Sequence, residues 1–397
     1  MTFWHKARYL VLLILIFLIT ISSHPTIAAM SRDAGIESGT ILSRYIILVF
    51  VVLFLMCINV KSMLGPKMVR VGLLLWVWIF LYYLITFSFF NKSIMMSDVR
   101  SIAICLVSIM IGWQMNLDVK RFRAMLLVFS VLTLFVGLMQ VFTNIGGFII
   151  RDQYFTDNKN SLGVMLSTSL IVFLLLWYNR QEKGFLKVSL LVLCLLSFVV
   201  LLTIRARAAT ITSVIVFLFI MYSRFRGRDF WLYLILGLFL IFIVFLVLPS
   251  EFKQYVYNSI FQNYEEGDIT AGRAWRNAAA LRFLSSHLWL GNLNSDVNIA
   301  QIHNYPLNRT YEFGIAFALP ILLVYLYYMI KTVVKTTKAD SKNFDNVGYY
   351  LLLIPFIISM VEPTFPFGPG TATVFNFMVF GLTLRYASDA KKQLVNS

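Results

Sequence analysis

The chain is short of charge, of cysteine and of histidine, and each shortage closes off a class of protein. Asp, Glu, Lys and Arg make up only 13% of its 397 residues, against 59% hydrophobic, and the mean hydropathy is +0.80. A soluble fold of this length needs a far more polar surface, so the composition is that of a polytopic membrane protein. The three cysteines, Cys57, Cys105 and Cys194, each lie within an apolar run. They read as small core residues, not as a disulfide framework. The four histidines are scattered, and no His, Cys or Asp cluster with ligand spacing occurs, so neither a metal nor another cofactor is expected. Internal repeats, low-complexity tracts and a soluble domain are also missing, which leaves one integral membrane domain over residues 1–397. Without a clear inverted repeat, many secondary transporter folds are disfavoured.

What the chain does have is basic charge: 34 Lys and Arg against 18 Asp and Glu, a formal net charge of +16. In a soluble chain that excess would point to nucleic acid. Here its distribution reads as a topology signal, and no nucleic-acid partner is expected. Apolar runs suited to membrane helices of about 20 residues lie near 9–26, 41–60, 71–90, 99–115, 124–143, 161–178, 185–203, 207–223, 230–248, 310–330, 347–361 and 370–388. These predict an all-α fold of twelve spans. With the N-terminus in the cytoplasm, the inward segments hold 21 of the 34 cations and six of the 18 acids, leaving 13 cations and 12 acids outside. The opposite orientation would invert the positive-inside rule. Residues 249–309 then form the one long outward loop, with short helices inside it. The first run has a second reading. Lys6 and Arg8 before it, and Thr26-Ile27-Ala28-Ala29 at its end, also fit a signal peptide with a small-residue cleavage site. The next residue emerges outside in either case.

Cations on the outer side need a reason, and they gather in few places. Loop 144–160 carries Arg151 and then Asp157-Asn158-Lys159-Asn160-Ser161 at the start of a span. Asn160 or Ser161 can cap that helix. Lys159 stands at its positive end, where an anion is welcome. Arg205 and Arg207 sit in a tight connection, Thr203-Ile204-Arg205-Ala206-Arg207-Ala208-Ala209-Thr210, with little loop to carry them into water. Snorkelling from the helix ends would accommodate them. Planar guanidinium groups also suit bidentate contact with phosphate, and Ala208 and Ala209 allow a ligand or helix to come close. In the long loop, Asp268 or Thr270 can cap an amphipathic interfacial helix that Arg273 opens and Arg276 follows on the same side. Cations there oppose the helix dipole unless an anion sits among them. Arg282 is expected to face headgroups or solvent, and His287 to be buried in an apolar run. His303-Asn304 closes the loop, with Arg309, Glu312 and Gly314 at the mouth of the tenth span. Of the four histidines, only His303 adjoins both a polar side chain and the basic set. It is a structural residue or a base working near neutral pH. Together these groups suit an anionic, lipid-linked substrate at the outer face.

With these motifs the chain resembles the O-antigen ligase and polymerase superfamily of bacterial envelope glycan assembly. The resemblance runs over most of the chain and is specific at Asp157–Gly163, at Arg205-Ala206-Arg207, at Gly272-Arg273-Ala274-Trp275 and at His303-Asn304 with Gly314. Ligases of the superfamily are similar in a pattern of His, then Asn, Ser or Gln, nine residues, Gly, two residues, then Gly, Thr or Tyr. His303, Asn304 and Gly314 satisfy it, and Phe317 stands in the last position, a departure that bears on the ligase subfamily more than on the superfamily. The resemblance implies metal-independent, inverting glycosyl transfer at the periplasmic face of the bacterial inner membrane. The donor would be an undecaprenyl-diphosphate-linked glycan. The acceptor would be another lipid-linked repeat unit in a polymerase, or lipid A–core in a ligase, with other polysaccharide assembly proteins as further partners. On this reading Arg207 and Arg273 bind the diphosphate, with Arg205, Arg276, Lys159, Asn160, Arg151 and Asn304 as further substrate contacts. His303 takes the proton from the acceptor hydroxyl. A lipid or sugar transporter is the rival from another class; it predicts polar or charged residues midway along several spans, and these spans are almost free of them.

Overall fold

The computed structural model describes residues 3–24, 38–59, 62, 64–90, 95–143, 159–178, 184–225, 229–232, 234–235, 246, 249–250, 253, 272–295, 297, 299, 302–338, 346–368 and 371–396. Among the described residues there is no strand. The chain runs through α1 (Phe3–Ile21), α2 (Ser38–Cys57), α3 (Lys67–Phe90), α4 (Met95–Gln114), α5 (Val119–Thr143) and α6 (Lys159–Tyr178). It continues through α7 (Phe185–Thr203), α8 (Arg207–Arg224), α9 (Arg273–His287), a 3-10 turn at Gly291–Asn294, α10 (Tyr305–Lys338), α11 (Val347–Ile358) and α12 (Thr371–Asn396). Eleven of the expected spans each correspond to one of these helices; the run at 230–248 lies mostly outside the described residues. Among the described residues eight helices, α1, α3 to α8 and α10, are long and apolar enough to cross a membrane, and α11 and the Leu42–Cys57 part of α2 are shorter apolar helices. The protein is an all-helical, polytopic membrane protein. Helices are what such a sequence must form, because a lipid-exposed backbone has to satisfy its own hydrogen bonds.

α6 lies at the centre, packed against α5, α7, α8, α11 and α12. α12 connects this core to a second one formed with α3, α4 and α10. With lipid no less apolar than leucine, close approach and hydrogen bonds must supply the helix contacts. Both are visible. A Cβ on Gly163 of α6 would come 2.8 Å from the Cβ of Ala206, just ahead of α8. One turn on, Ser167 donates to the Ala209 carbonyl at 2.9 Å and Ser213 donates to Ser167 at 2.9 Å. α4 and α12 cross more tightly still: a Cβ on Gly112 would meet the Met378 carbonyl oxygen at 2.0 Å, and one on Gly381 the Ile109 carbonyl oxygen at 2.1 Å. α3 and α7 are peripheral and expose Leu74, Val77 and Phe87, and Val188, Leu195 and Val199, which is the surface of a helix facing lipid. α1 belongs to the bundle, with Leu12, Leu15, Ile16 and Ile19 fully buried.

The interior is more polar than the sequence suggests. Thr133, Thr168, Ser169, Thr373 and Asn376 are all fully buried. Averaged hydropathy hides them because a few hydroxyls hardly lower the mean of a span; Thr168 and Ser169 return to their own backbone at 2.9 Å, whereas the Thr133 hydroxyl has no hydrogen-bond partner among the described residues. Asn376 is held by Thr168 at 3.1 Å and by the Leu351 carbonyl, to which it donates at 3.1 Å. These groups are neutral.

The two ends of the bundle are chemically different. One end gathers Tyr9 on the Arg121 carbonyl, Tyr386 on the Leu117 carbonyl and Arg385 over the Trp113 ring. The other gathers the approach of Gly163 to Ala206 and an ion pair from Asp98 to Arg309. Arg121 and Arg385, from segments expected on one side, lie at the first end, and Arg309, from a segment expected on the other, lies at the second. The glycine crossing gives a direct test. Gly381→Ala forces a methyl into backbone, and overpacking of this kind costs about 1–3 kcal/mol. The variant should melt at a lower temperature in detergent, followed by size-exclusion fluorescence; unchanged melting would contradict the crossing.

Candidate functional site

The site is built where α9, the start of α10 and the turn after α11 meet. α9 starts after Gly272, whose φ of 77° places it in the left-handed region that glycine tolerates. Its buried face, Ala280 and Leu284, lies toward α10, where Ala280 packs with Ile302 and Tyr311. Phe283 meets the Tyr311 ring edge-on at 5.2 Å. The other face leaves Trp275 and Leu281 exposed, as an interfacial helix does. Asp268 and Thr270, expected as caps, lie outside the described residues.

The chain then docks into a break in α10. Gly314 has φ 64° and ψ 171°, and Ile315 and Ala316, freed from the helix ladder, donate to the Leu288 and Trp289 carbonyls at 2.9 and 3.2 Å. Gly291 and Gly314 meet backbone to backbone: a Cβ on Gly314 would lie 2.2 Å from the Trp289 carbonyl oxygen. This explains the glycine ten residues after Asn304. It is a packing requirement that fixes the far end of the loop.

Asn304 caps the front of α10. Its Oδ1 accepts from the Leu307 N–H at 3.0 Å, and its Nδ2 donates to the Met360 carbonyl at 3.2 Å. Next to it, the Tyr305 N–H donates to the Ser359 carbonyl at 2.9 Å. These bonds tie His303 to the turn after α11, and that turn supplies Glu362. The Glu362 carboxylate is buried. One oxygen receives Arg273 Nη2 at 2.8 Å, and Arg273 Nη1 donates to the Val361 carbonyl at 3.0 Å. The other carboxylate oxygen is 3.8 Å from His303 Nδ1. On the opposite edge of the ring, Arg276 Nη1 is 3.1 Å from His303 Nε2. A guanidinium can only donate, so Nε2 accepts and the ring proton sits on Nδ1, toward Glu362. Two arginines, a histidine and a glutamate therefore form one connected group.

The sequence reading placed Arg273, Arg276 and His303 together, and they are. It missed Glu362, which neutralises Arg273 and is the anion that the N-terminus of α9 required. A signal was present: Glu362 is the only charged residue between Asp345 and Arg385. Asp98 was missed as well. It is buried in the first turn of α4, where it pairs with Arg309 Nε at 3.0 Å and accepts from Tyr305 at 3.2 Å. Arg309 also reaches Glu312 at 2.5 Å and lies over the Tyr305 ring, so it is a structural cation that locks α4 to α10.

Arg205 and Arg207 are positioned by different packing, the approach of α6 to the α7–α8 connection. Arg205 adopts φ 53°, a conformation uncommon for a side-chain-bearing residue, and its buried Nε has no hydrogen-bond partner. Arg207 is the first residue of α8 and is half-buried. Lys159 is the first residue of α6; its side chain and the whole of Arg151 lie outside the described residues. Asn160 and Ser161 fall within the first turn of α6, past the capping position expected for one of them. His287 also departs from expectation. It is exposed, because it ends α9 beyond the Ala280 cluster and stacks on Phe283 with ring centres 4.4 Å apart. Arg282 is exposed, as expected. Among the described residues, no three His, Cys, Asp or Glu side chains gather as a metal site would require. No family model matches the chain, and no curated protein matches it significantly.

Gly314→Ala would place a methyl against the Trp289 carbonyl and strain the backbone at positive φ. It should lower the melting temperature and raise protease sensitivity between α9 and α10; a variant as stable and resistant as the wild type would contradict the docking.

Proposed function

We propose that this protein is a metal-independent membrane glycosyltransferase of bacterial envelope assembly. In this reading it crosses the inner membrane twelve times, with residues 249–309 in the periplasm. It joins an undecaprenyl-diphosphate-linked glycan to another lipid-linked repeat unit, as a surface polysaccharide polymerase. The observation that carries the reading is the contact of Arg276 with the His303 imidazole, beside an Arg273 held by Glu362, at the end of an apolar bundle. A diphosphate is already a good leaving group. The chemistry needs donors for the charge that grows on it and a base for the attacking hydroxyl.

Arg273 and Arg276 receive the diphosphate, with Arg205 and Arg207 as further cations at the same end. The acceptor oxygen attacks the anomeric carbon from the face opposite the diphosphate. The new C–O bond forms as the bond to phosphate oxygen breaks, and the leaving diphosphate keeps the electron pair. The hydroxyl proton passes to His303 Nε2. For that to happen Arg276 must turn from the imidazole, and an incoming phosphate gives it a stronger partner. The prenyl chain lies along the apolar helices.

The ligase is the alternative, favoured by the fit of His303, Asn304 and Gly314 to its pattern. In its last position Phe317 packs edge-on against Tyr82 at 5.2 Å. A transporter is weaker, because the buried polar groups along α6 and α12 are uncharged.

Deletion of the gene followed by gel analysis of surface polysaccharide separates the readings. Loss of the long ladder with one repeat unit still on core means polymerase; loss of all capped lipopolysaccharide means ligase. An unchanged profile would overturn both. Restored on a plasmid, His303→Ala should slow transfer by about 10²–10⁴-fold, the usual worth of a general base. Arg273→Lys should be partly active and Arg282→Ala near normal.

A further inference from the structure

We propose that Glu362 is a positioning residue that holds Arg273 through one carboxylate oxygen and faces the His303 ring through the other. Anion binding and proton uptake would then share a single group. The inference rests on the glycosyl-transfer reading for its consequences, and on geometry for its substance. Oε1 lies 2.8 Å from Arg273 Nη2, and Oε2 lies 3.8 Å from His303 Nδ1. The carboxylate is nearly buried, and no other acid contacts either group among the interactions described. Among the described residues, the charged and titratable groups facing this imidazole are Arg276 from α9 and Glu362 from the turn after α11. Asp98, Arg309 and Glu312 are committed to one another beyond Tyr305.

The arrangement has two effects of opposite sign. Toward the donor, Glu362 is a liability, since it cancels one of two guanidinium charges where a diphosphate should bind. Toward the base it is an asset. As His303 Nε2 takes the acceptor proton, the ring becomes a cation, and the carboxylate beside Nδ1–H stabilises it. His303 Nδ1 is buried with no hydrogen-bond partner at its present distance. A shift of about 1 Å would make Nδ1–H to Oε2 a hydrogen bond. When the diphosphate draws Arg273 and Arg276 to itself, Glu362 loses its strongest partner and becomes free to close on the imidazolium. Donor arrival thereby prepares the base.

Glu362→Gln separates this role from simple structural support, because glutamine is isosteric and can still accept from Arg273. Purified in nanodiscs, the variant should bind undecaprenyl diphosphate as tightly as the wild type or more tightly, while kcat falls about three- to tenfold. The melting temperature should stay near the wild type's, so that a fall in kcat without loss of donor binding reports the missing carboxylate charge and not a loosened fold. Glu362→Asp keeps the charge and should lie between the two; it also carries the test if the Gln variant does not fold. A kcat equal to the wild type's, or a parallel loss of kcat and donor binding, would overturn the inference. If the variant binds undecaprenyl diphosphate more tightly but the wild type turns over no polyprenyl-diphosphate glycan, the hold of Glu362 on Arg273 stands and the transferase reading falls.

Discussion

A charge at the edge of an apolar bundle is costly unless another charge meets it, and the Arg273–Glu362 pair meets that constraint at the site. Glu362 is the buried partner and Arg273 is about one-third exposed, so losing Arg273 would leave an uncompensated carboxylate inside the bundle end. The pair joins α9, which comes from the long loop, to the turn between α11 and α12. It also fixes the distance at which a carboxylate faces His303. A second pair, Asp98 with Arg309, sets α4 against the front of α10. Between them these two pairs determine where the His303 segment lies, and the Asn304 cap orients it.

The helices that hold these pairs are assembled by other means. Glycines at 112, 163 and 381 let backbones approach, and hydroxyls at 167, 168 and 213 bridge them. Neither device puts charge into the interior. The protein thus has a closely packed body whose bridging groups are neutral, with charge at its ends, a division suited to a substrate with a long apolar chain and an anionic head. Arg276 lies against the lone pair of His303, and in the proposed reading an anion that competes for Arg276 frees that nitrogen.

Most of the helical framework was legible because spans are long and uniform. Eleven expected runs match helices, and Arg207 and Arg273 begin α8 and α9 as the sequence suggested. Arg273, Arg276 and His303 were found because cations outside and a histidine beside them are unusual for a membrane chain. Glu362 and Asp98 escaped notice because a single acid in an apolar stretch carries no local pattern; its meaning depends on partners 89 and 211 residues away. Asn304 and Gly314 were legible as a motif but not as geometry. The motif reads as chemistry, whereas the structure uses the asparagine as a cap and the glycine as a seat for Trp289. Neutral polar residues in the core were hidden by averaging.

The central claim is that this end of the bundle transfers a glycan from a polyprenyl diphosphate without a metal. Its most direct test is turnover by the purified protein in nanodiscs, given a synthetic undecaprenyl-diphosphate-linked repeat unit as both donor and acceptor, in the presence of EDTA. The account predicts release of undecaprenyl diphosphate together with lipid-linked products lengthened by whole repeat units, at a rate EDTA does not change. Absence of lengthened product from active, folded protein, or abolition of turnover by EDTA with recovery on adding a divalent cation, would contradict it.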